Sequence, residues 1–272
     1  MSFDCYLLPF ATADGPANMA LDEALLERVC ETPQVGYLRL YGWSPATLSL
    51  GYFQDLEDVA ADPRWRGAPV VRRATGGGAI WHDRELTYAL ALPAGHPGAL
   101  PGPWLYRGVH GAIVAELRAR GLDARSRDEA EPDPAPAPPV VGRPHRPFLC
   151  FTDRDPSDIV AALSKVVGSA QRRRSGAVLQ HGSILLSRSE RTPELPGICD
   201  LIDADATPEA WVEPITRSIA AVLDLAMIPA DAPLSESLHD RARELEQAIY
   251  RDASWTGRLS PAARRRARAV AD

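Results

Sequence analysis

The stretch RRATGGGAIWHD, residues 72–83, sets three consecutive glycines, Gly76–Gly78, between two β-rich runs. Upstream, APVVRR (68–73) is short and β-branched. Downstream, ELTYALALP (85–93) alternates, with Leu86, Tyr88, Leu90 and Leu92 on one face. Glycine accepts torsions and close backbone approaches that other residues do not. The run therefore suits either a tight hairpin turn or a loop whose N–H groups wrap a ligand. The two common phosphate loops do not fit: there is no GxxxxGK[ST], and Trp81 stands where the last glycine of GxGxxG would fall. Arg72, Arg73, His82 and Asp83 flank the glycines, and that convergence of polar groups favours a binding loop.

Outward from this stretch, GPANMALDEALLERVC (15–30) carries Leu21, Leu25 and Val29 at helical spacing, with Pro16 suited to a first turn. VGYLRLY (35–41) and ATLSLGYF (46–53) alternate like strands on either side of a turn, GWSP (42–45). PWLYRGVHGAIVAELRARG (103–121) reads as a helix with Leu105, Val109, Ile113 and Leu117 four apart, stopped by Gly121. Residues 128–147, DEAEPDPAPAPPVVGRPHRP, are proline-rich and polar and read as a mobile loop. Strands are expected around DIVAAL (158–163), KVVGSA (165–170) and AVLQHGSILLS (177–187), and helices near 209–225 and 235–250. Strands with interspersed helices predict an α+β domain built on a mixed sheet.

The chain has 272 residues, 45% of them apolar, enough for one large core rather than two full domains. A net charge of -6 argues against sequence-independent nucleic-acid binding, which rests on basic patches. The N-terminus lacks the basic and apolar regions of a signal peptide, and no apolar run is long enough to span a bilayer. Cys5, Cys30, Cys150 and Cys199 are scattered, with neither disulfide-framework density nor a metal-binding CxxC. The expectation is a soluble cytoplasmic protein with free thiols and no bound metal.

Of thirty basic residues, twenty-nine are arginines and one is a lysine, Lys165. A GC-rich coding bias explains the arginines without function, which makes the exception informative. Cys150 lies in RPFLCFTD (146–153) among apolar neighbours, where a cysteine is ordinarily a small buried hydrophobe. Its place after the proline-rich loop is different in kind, since catalytic residues often ride on loops. His181 sits in a strand pattern, LQHGSILL, where a structural role and a base role both remain open. There is no HExxH, paired acidic motif or GxSxG, so zinc peptidase, glycosidase and α/β-hydrolase chemistries have no motif support.

RRATGGGAIWHD, followed by KVVGSAQRRRSGAVLQHGSILL (165–186), resembles the catalytic domain shared by biotin and lipoate protein ligases. ANMALDEALL (17–26) and LSLGYFQD (48–55) are similar to that family's opening helix and strand, and the resemblance runs from about residue 4 to about residue 250. It implies a mixed, largely antiparallel sheet with a second small sheet and surrounding helices, of the class II aminoacyl-tRNA synthetase and biotin synthetase type. It also implies one catalytic domain over 1–250 and a C-terminal tail, 251–272. Within the family, CF ahead of KVVGSAQ resembles the cysteine-dependent octanoyltransferases that load the glycine-cleavage H protein from octanoyl-acyl carrier protein. The resemblance then makes Cys150 the nucleophile, forming an acyl thioester, and Lys165 the nearby cation that favours its thiolate. Arg72, Arg73, the glycine loop, Gly168, Ser169, Ala170, His181 and Gly182 would line the substrate site, with His82 near the reacting carbonyl. The family's usual glycine–basic–lysine turn is here ALSK (162–165), a departure in the turn that carries the lysine.

The chemistry agrees on its own terms. A free thiol is mostly protonated at neutral pH, and an adjacent ammonium favours the thiolate. Acyl transfer from sulfur to sulfur is near thermoneutral and from sulfur to amine is downhill, so no cofactor is required. Lysine, unlike arginine, can also accept a proton when neutral. A glycine-rich apolar groove suits an eight-carbon chain, whose burial stabilises by about 0.8 kcal/mol per methylene. Two alternatives remain. An ATP- and magnesium-dependent lipoate ligase would keep the lysine and the glycine loop without needing the cysteine. A non-catalytic lipoyl- or acyl-binding protein would need neither chemical role.

Overall fold

The structure is a computed structural model that describes residues 2–129, 147–152 and 155–259. Strand β1 (Phe3–Leu7) leads through β2 (Ala11–Ala13) into helix α1 (Gly15–Glu31). Asp14 fixes the helix start: its carboxylate accepts from the Ala17 N–H at 3.0 Å, and Pro16 occupies a position where no N–H is needed. Strands β3 (Gly36–Trp43) and β4 (Thr47–Leu50) follow, then helix α2 (Glu57–Ala61), β5 (Val70–Arg72), β6 (Ile80–His82) and the long β7 (Glu85–Leu92). Helix α3 (Trp104–Ala119) precedes β8 (Ala124–Ser126). Residues 130–146, most of the segment read as a mobile loop, lie outside the described residues. After them come β9 (Ile159–Ala161), β10 (Ser164–Arg174), β11 (Ala177–Leu185), α4 (Glu209–Leu223), β12 (Leu225–Pro229), α5 (Ala232–Leu245) and α6 (Ala253–Thr256).

Among the described residues the strands form two sheets. The larger runs β12-β1-β3-β7-β11-β10-β9-β8, with β2 added beside β3; the smaller runs β5-β4-β6. The pairs β12–β1, β1–β3 and β2–β3 are parallel, and every pair from β3–β7 to β9–β8 is antiparallel. This is the mixed, largely antiparallel α+β fold that the family resemblance implies.

The large sheet is buried on both faces. On one, α3 and α4 place Val109, Ile113, Leu117, Trp211 and Ile215 against Leu86, Tyr88, Leu90 and Leu92. On the other, α1 and α5 place Leu25, Leu26, Leu238 and Leu245 against Tyr37, Ala89, Ala91 and Leu179. The alternation of β7 therefore separates large residues for one core from small ones for the other, where α1 lies close. Each fully buried leucine or isoleucine of α3 stabilises by about 1.5–3 kcal/mol, which is why its four-residue spacing is so regular.

The topology decides between the two readings of the glycine run, places the GWSP turn and moves one helix boundary. The glycine run is not a hairpin turn, because β5 and β6 both pair with β4, which lies between them. The GWSP turn does not join neighbouring strands; it carries the chain from the large sheet at β3 to the small sheet at β4, with a cis Ser44–Pro45 bond. Helix α4 ends at Leu223, and Leu225 opens a strand that pairs with β1 rather than extending the helix.

Candidate active site

The glycine loop and Cys150 are held as one unit. Cys150 N–H donates to the Ala79 carbonyl at 2.8 Å, and Ala79 N–H to the Phe148 carbonyl at 2.8 Å. The Gln54 side chain adds a bond to the Phe148 carbonyl at 2.9 Å. A Cβ at Gly78 would stand 2.8 Å from the Cys150 nitrogen, so only glycine lets the cysteine backbone lie this close. Gly51, which sequence reading passed over, is needed for a similar reason: a Cβ there would meet the Gly77 carbonyl oxygen at 1.9 Å. Arg73 braces the loop from beneath, donating to the Ser49 carbonyl and hydroxyl and to the Gly76 and Gly78 carbonyls. It is buried, and among the described residues it has no carboxylate partner. Burial pulls its guanidinium down to about 10, while the charge of nearby Cys150 acts in the opposite sense.

Lys165 reaches Cys150 because β10 is bulged. The register against β9 shifts between Lys165 and Val167, which turns Lys165 toward the same face as Gly168. Its ammonium donates to the Cys150 carbonyl at 2.9 Å and lies 3.5 Å from Cys150 Sγ. It forms a buried ion pair with Asp158 at 2.8 Å. Burial favours the neutral amine, but the charges of Cys150 and Asp158 prevail and raise Lys165 above its usual value. Next to these two charges the ammonium form is the favoured one. In Asp158, which also accepts from the Asp155 N–H, burial prevails instead and raises the carboxyl.

Cys150 stands where two cavities meet. One is an apolar slot lined by Met19, Tyr41, Trp43, Ile80 and the 168–170 and 181–183 strand segments. The other is an open cleft of about 510 Å³, lined by Tyr106, His110, Asp155, Asp158 and Lys165. Cys150, Gly77 and Ser169 line both. A nucleophile at such a junction can hold an apolar chain on one side and meet polar partners on the other.

The structure brings most of the expected residues here, in different capacities. Gly76, Gly77, Gly168, Ala170 and Gly182 line the slot with backbone or small side chains, and Gly78 lines the cleft. His82 lines it too, fully engaged: Nδ1 faces Glu85 Oε1 at 2.8 Å, Nε2 faces the Ser49 hydroxyl at 2.7 Å, and the ring stacks on Trp43. Burial lowers its pKa, with Glu85 opposing, so the ring is a neutral wall of the slot. His181 bridges Asp22 at 2.8 Å and the Thr75 hydroxyl at 2.7 Å, tying the glycine loop to α1. Ser169 hydrogen bonds His110 at 2.7 Å, and His110 in turn bonds the Ser157 carbonyl. Arg72 is not brought to the cavities. Its guanidinium is spent on the carbonyls of Gly51, Tyr52, Gln54, Trp255, Thr256 and Arg258, strapping the C-terminal turn to the small sheet. Asp158 and His110 were missed because neither lies in a motif; an aspartate seven residues before the lone lysine was the only sequence signal.

All four cysteines are free, and burial pushes Cys5 up to about 12 and Cys199 up to about 11. Among the described residues no helix is long and apolar enough to cross a membrane.

The chain is similar to several known proteins. Residues 14–194 match the Lipoyl protein ligase A/B catalytic domain. Octanoyltransferase LipM of Kyrpidia tusciae is 41% identical over 186 residues, which span 64% of this chain and 64% of that one. Octanoyltransferase LipM of Macrococcus caseolyticus is 31% identical over 277 residues, covering 89% of this chain and 94% of its own. Among solved structures, a lipoate-protein ligase A bound with ATP superposes with a TM-score of 0.69 at 25% identity, over 95% of this chain and all of that one. The bipartite lipoate protein ligase of Thermoplasma acidophilum, at 22% identity, has the same TM-score over 95% of this chain and 98% of its own, a likeness of fold. The chain belongs to the Lipoyl protein ligase A/B catalytic-domain family.

Proposed function

We propose that the protein is an octanoyltransferase that moves an octanoyl group through a Cys150 thioester. The donor in this reading is octanoyl-acyl carrier protein, and the acceptor is a lysine of a lipoyl-accepting domain such as the glycine-cleavage H protein. The observation that carries it is the Lys165 ammonium, 3.5 Å from Cys150 Sγ at the junction of an apolar slot and an open polar cleft. The similarity to proteins named octanoyltransferase supports the same reading.

The Cys150 thiolate attacks the donor's thioester carbonyl carbon. The new carbon–sulfur bond forms, the bond to the donor sulfur breaks, and the donor leaves as a thiol after taking up a proton. The acyl chain lies in the slot and the freed donor departs through the cleft. A neutral acceptor amine then attacks the Cys150 thioester; the carbon–nitrogen bond forms, the bond to Cys150 breaks, and the proton shed by nitrogen goes to water, replacing the one the donor sulfur took up, so Cys150 is left as the thiolate. Lys165 holds the negative sulfur at the start and end of the cycle, which needs a permanent cation rather than a base. No step in this scheme uses ATP or a metal. Incubation with octanoyl-acyl carrier protein and an acceptor domain tests it: octanoylated acceptor should form without ATP, whereas strict dependence on ATP and free acid would make the protein a ligase.

A further inference from the structure

The slot contains a hydroxyl with nothing to do. Ser183 is 1% exposed, lines the slot, and its Oγ has no hydrogen-bond partner among the described residues. The neighbours explain why. On β10 it pairs with Gly168, which has no side chain, and on β7 with Thr87, whose hydroxyl is already engaged by Trp43 and Glu85. The Gly168 pairing also fixes where Ser183 lies. A Cβ on Gly168 would be 3.0 Å from Lys165 Nζ, and paired residues of an antiparallel ladder project to the same face. Ser183 therefore projects to the face of the sheet on which the Lys165 ammonium lies, into the slot that Cys150 also lines. Arg73 Nε, on a side chain lining the same slot, is a second buried donor without a partner among the described residues.

Buried donors left unpaired are unfavourable unless a ligand satisfies them. An octanoyl thioester carries one hydrogen-bonding atom into the slot, its carbonyl oxygen, and that atom becomes negative when Cys150 attacks. We infer that Ser183 is a catalytic residue whose hydroxyl donates to this oxygen in the tetrahedral intermediates of both acyl transfers, an inference that rests on the acyltransferase reading. Ser183 keeps its own proton throughout; only the carbonyl oxygen gains and loses charge.

The test compares two reactions of Cys150 in wild type and Ser183→Ala: acylation by octanoyl-acyl carrier protein in a single turnover, and alkylation by iodoacetamide, which creates no oxyanion. The expected result is acylation slowed about 100-fold with alkylation unchanged. Acylation at the wild-type rate, or a parallel loss of both reactions, overturns the inference. If Ser183→Ala does not fold, Ser183→Cys, close in size and a weak donor, carries the same comparison. A wild-type protein that acylates while Ser183→Ala matches it removes only this inference; a wild-type protein that never acylates removes the acyltransferase reading as well.

Discussion

The Lys165 ammonium lies 2.8 Å from Asp158 Oδ2 and 3.5 Å from Cys150 Sγ, so a single buried cation is shared between a carboxylate and the thiol. Removing one member of a buried ion pair strands the other, at about 3–5 kcal/mol. Asp158→Asn should therefore lower unfolding free energy by about 3 kcal/mol in urea titration and slow Cys150 acylation. Adding Lys165→Met should restore part of the stability while slowing acylation further. Strict additivity of the two substitutions would mean that the pair does not interact.

Gly168 is the floor on which the lysine rests: a Cβ there would stand 2.6 Å from Lys165 Cε. The obstacle is the far end of a flexible side chain, so Gly168→Ala should fold and displace only the ammonium. Acylation should fall at least about tenfold in a variant that still unfolds cooperatively. The same crowding predicts that Lys165→Arg folds but acylates poorly, since the planar guanidinium is wider than an ammonium. Wild-type rates in both variants would show that the lysine position is not critical.

The turn before Lys165 is strained. Ala162 and Leu163 both have positive φ, 46° and 68°, where neither residue is comfortable. The pairing of Ala161 with Ser164 leaves these two as a two-residue hairpin turn that ordinarily takes Asn-Gly. Leu163 is 93% exposed, so replacing it loses no packing. The double change Ala162→Asn, Leu163→Gly should raise stability by about 1 kcal/mol in chemical denaturation. An unchanged or lower midpoint would refute this account of the turn.

The fold was legible where burial is two-sided and periodic. The β7 alternation and the four-residue spacing of α3 both correspond to faces in the core. Strands β2, β8 and β12, of three to five residues, carry no period of their own and exist only because a neighbour pairs with them. At the site, Cys150, Lys165 and the glycines were readable as motif residues. Asp158 was not, because its role depends on a two-residue turn folding it back onto Lys165. Arg72 was placed at the site because two adjacent arginines give no sign of which one lines the slot and which one holds the 255–258 turn.

His110 links the cleft to pH. Burial lowers it to about 4, with the Ser157 carbonyl pulling the other way. The folded state therefore holds this proton less well than the unfolded chain, whose histidines titrate near 6.5. Stability from this group is complete above about pH 6.5 and is lost as pH falls through about 4, a total of roughly 3 kcal/mol. Unfolding free energies measured between pH 7 and pH 4 should fall more steeply for the wild type than for His110→Gln. Parallel slopes would show that His110 does not titrate with folding.

The central claim is that Cys150 carries the acyl group, and intact mass tests it most directly. The protein and its Cys150→Ala variant are mixed with octanoyl-acyl carrier protein in the absence of ATP. The account predicts one octanoyl mass on the wild type, removed by hydroxylamine, and none on the variant. An adduct on Cys150→Ala, or no adduct on the wild type until ATP and free acid are supplied, would contradict it.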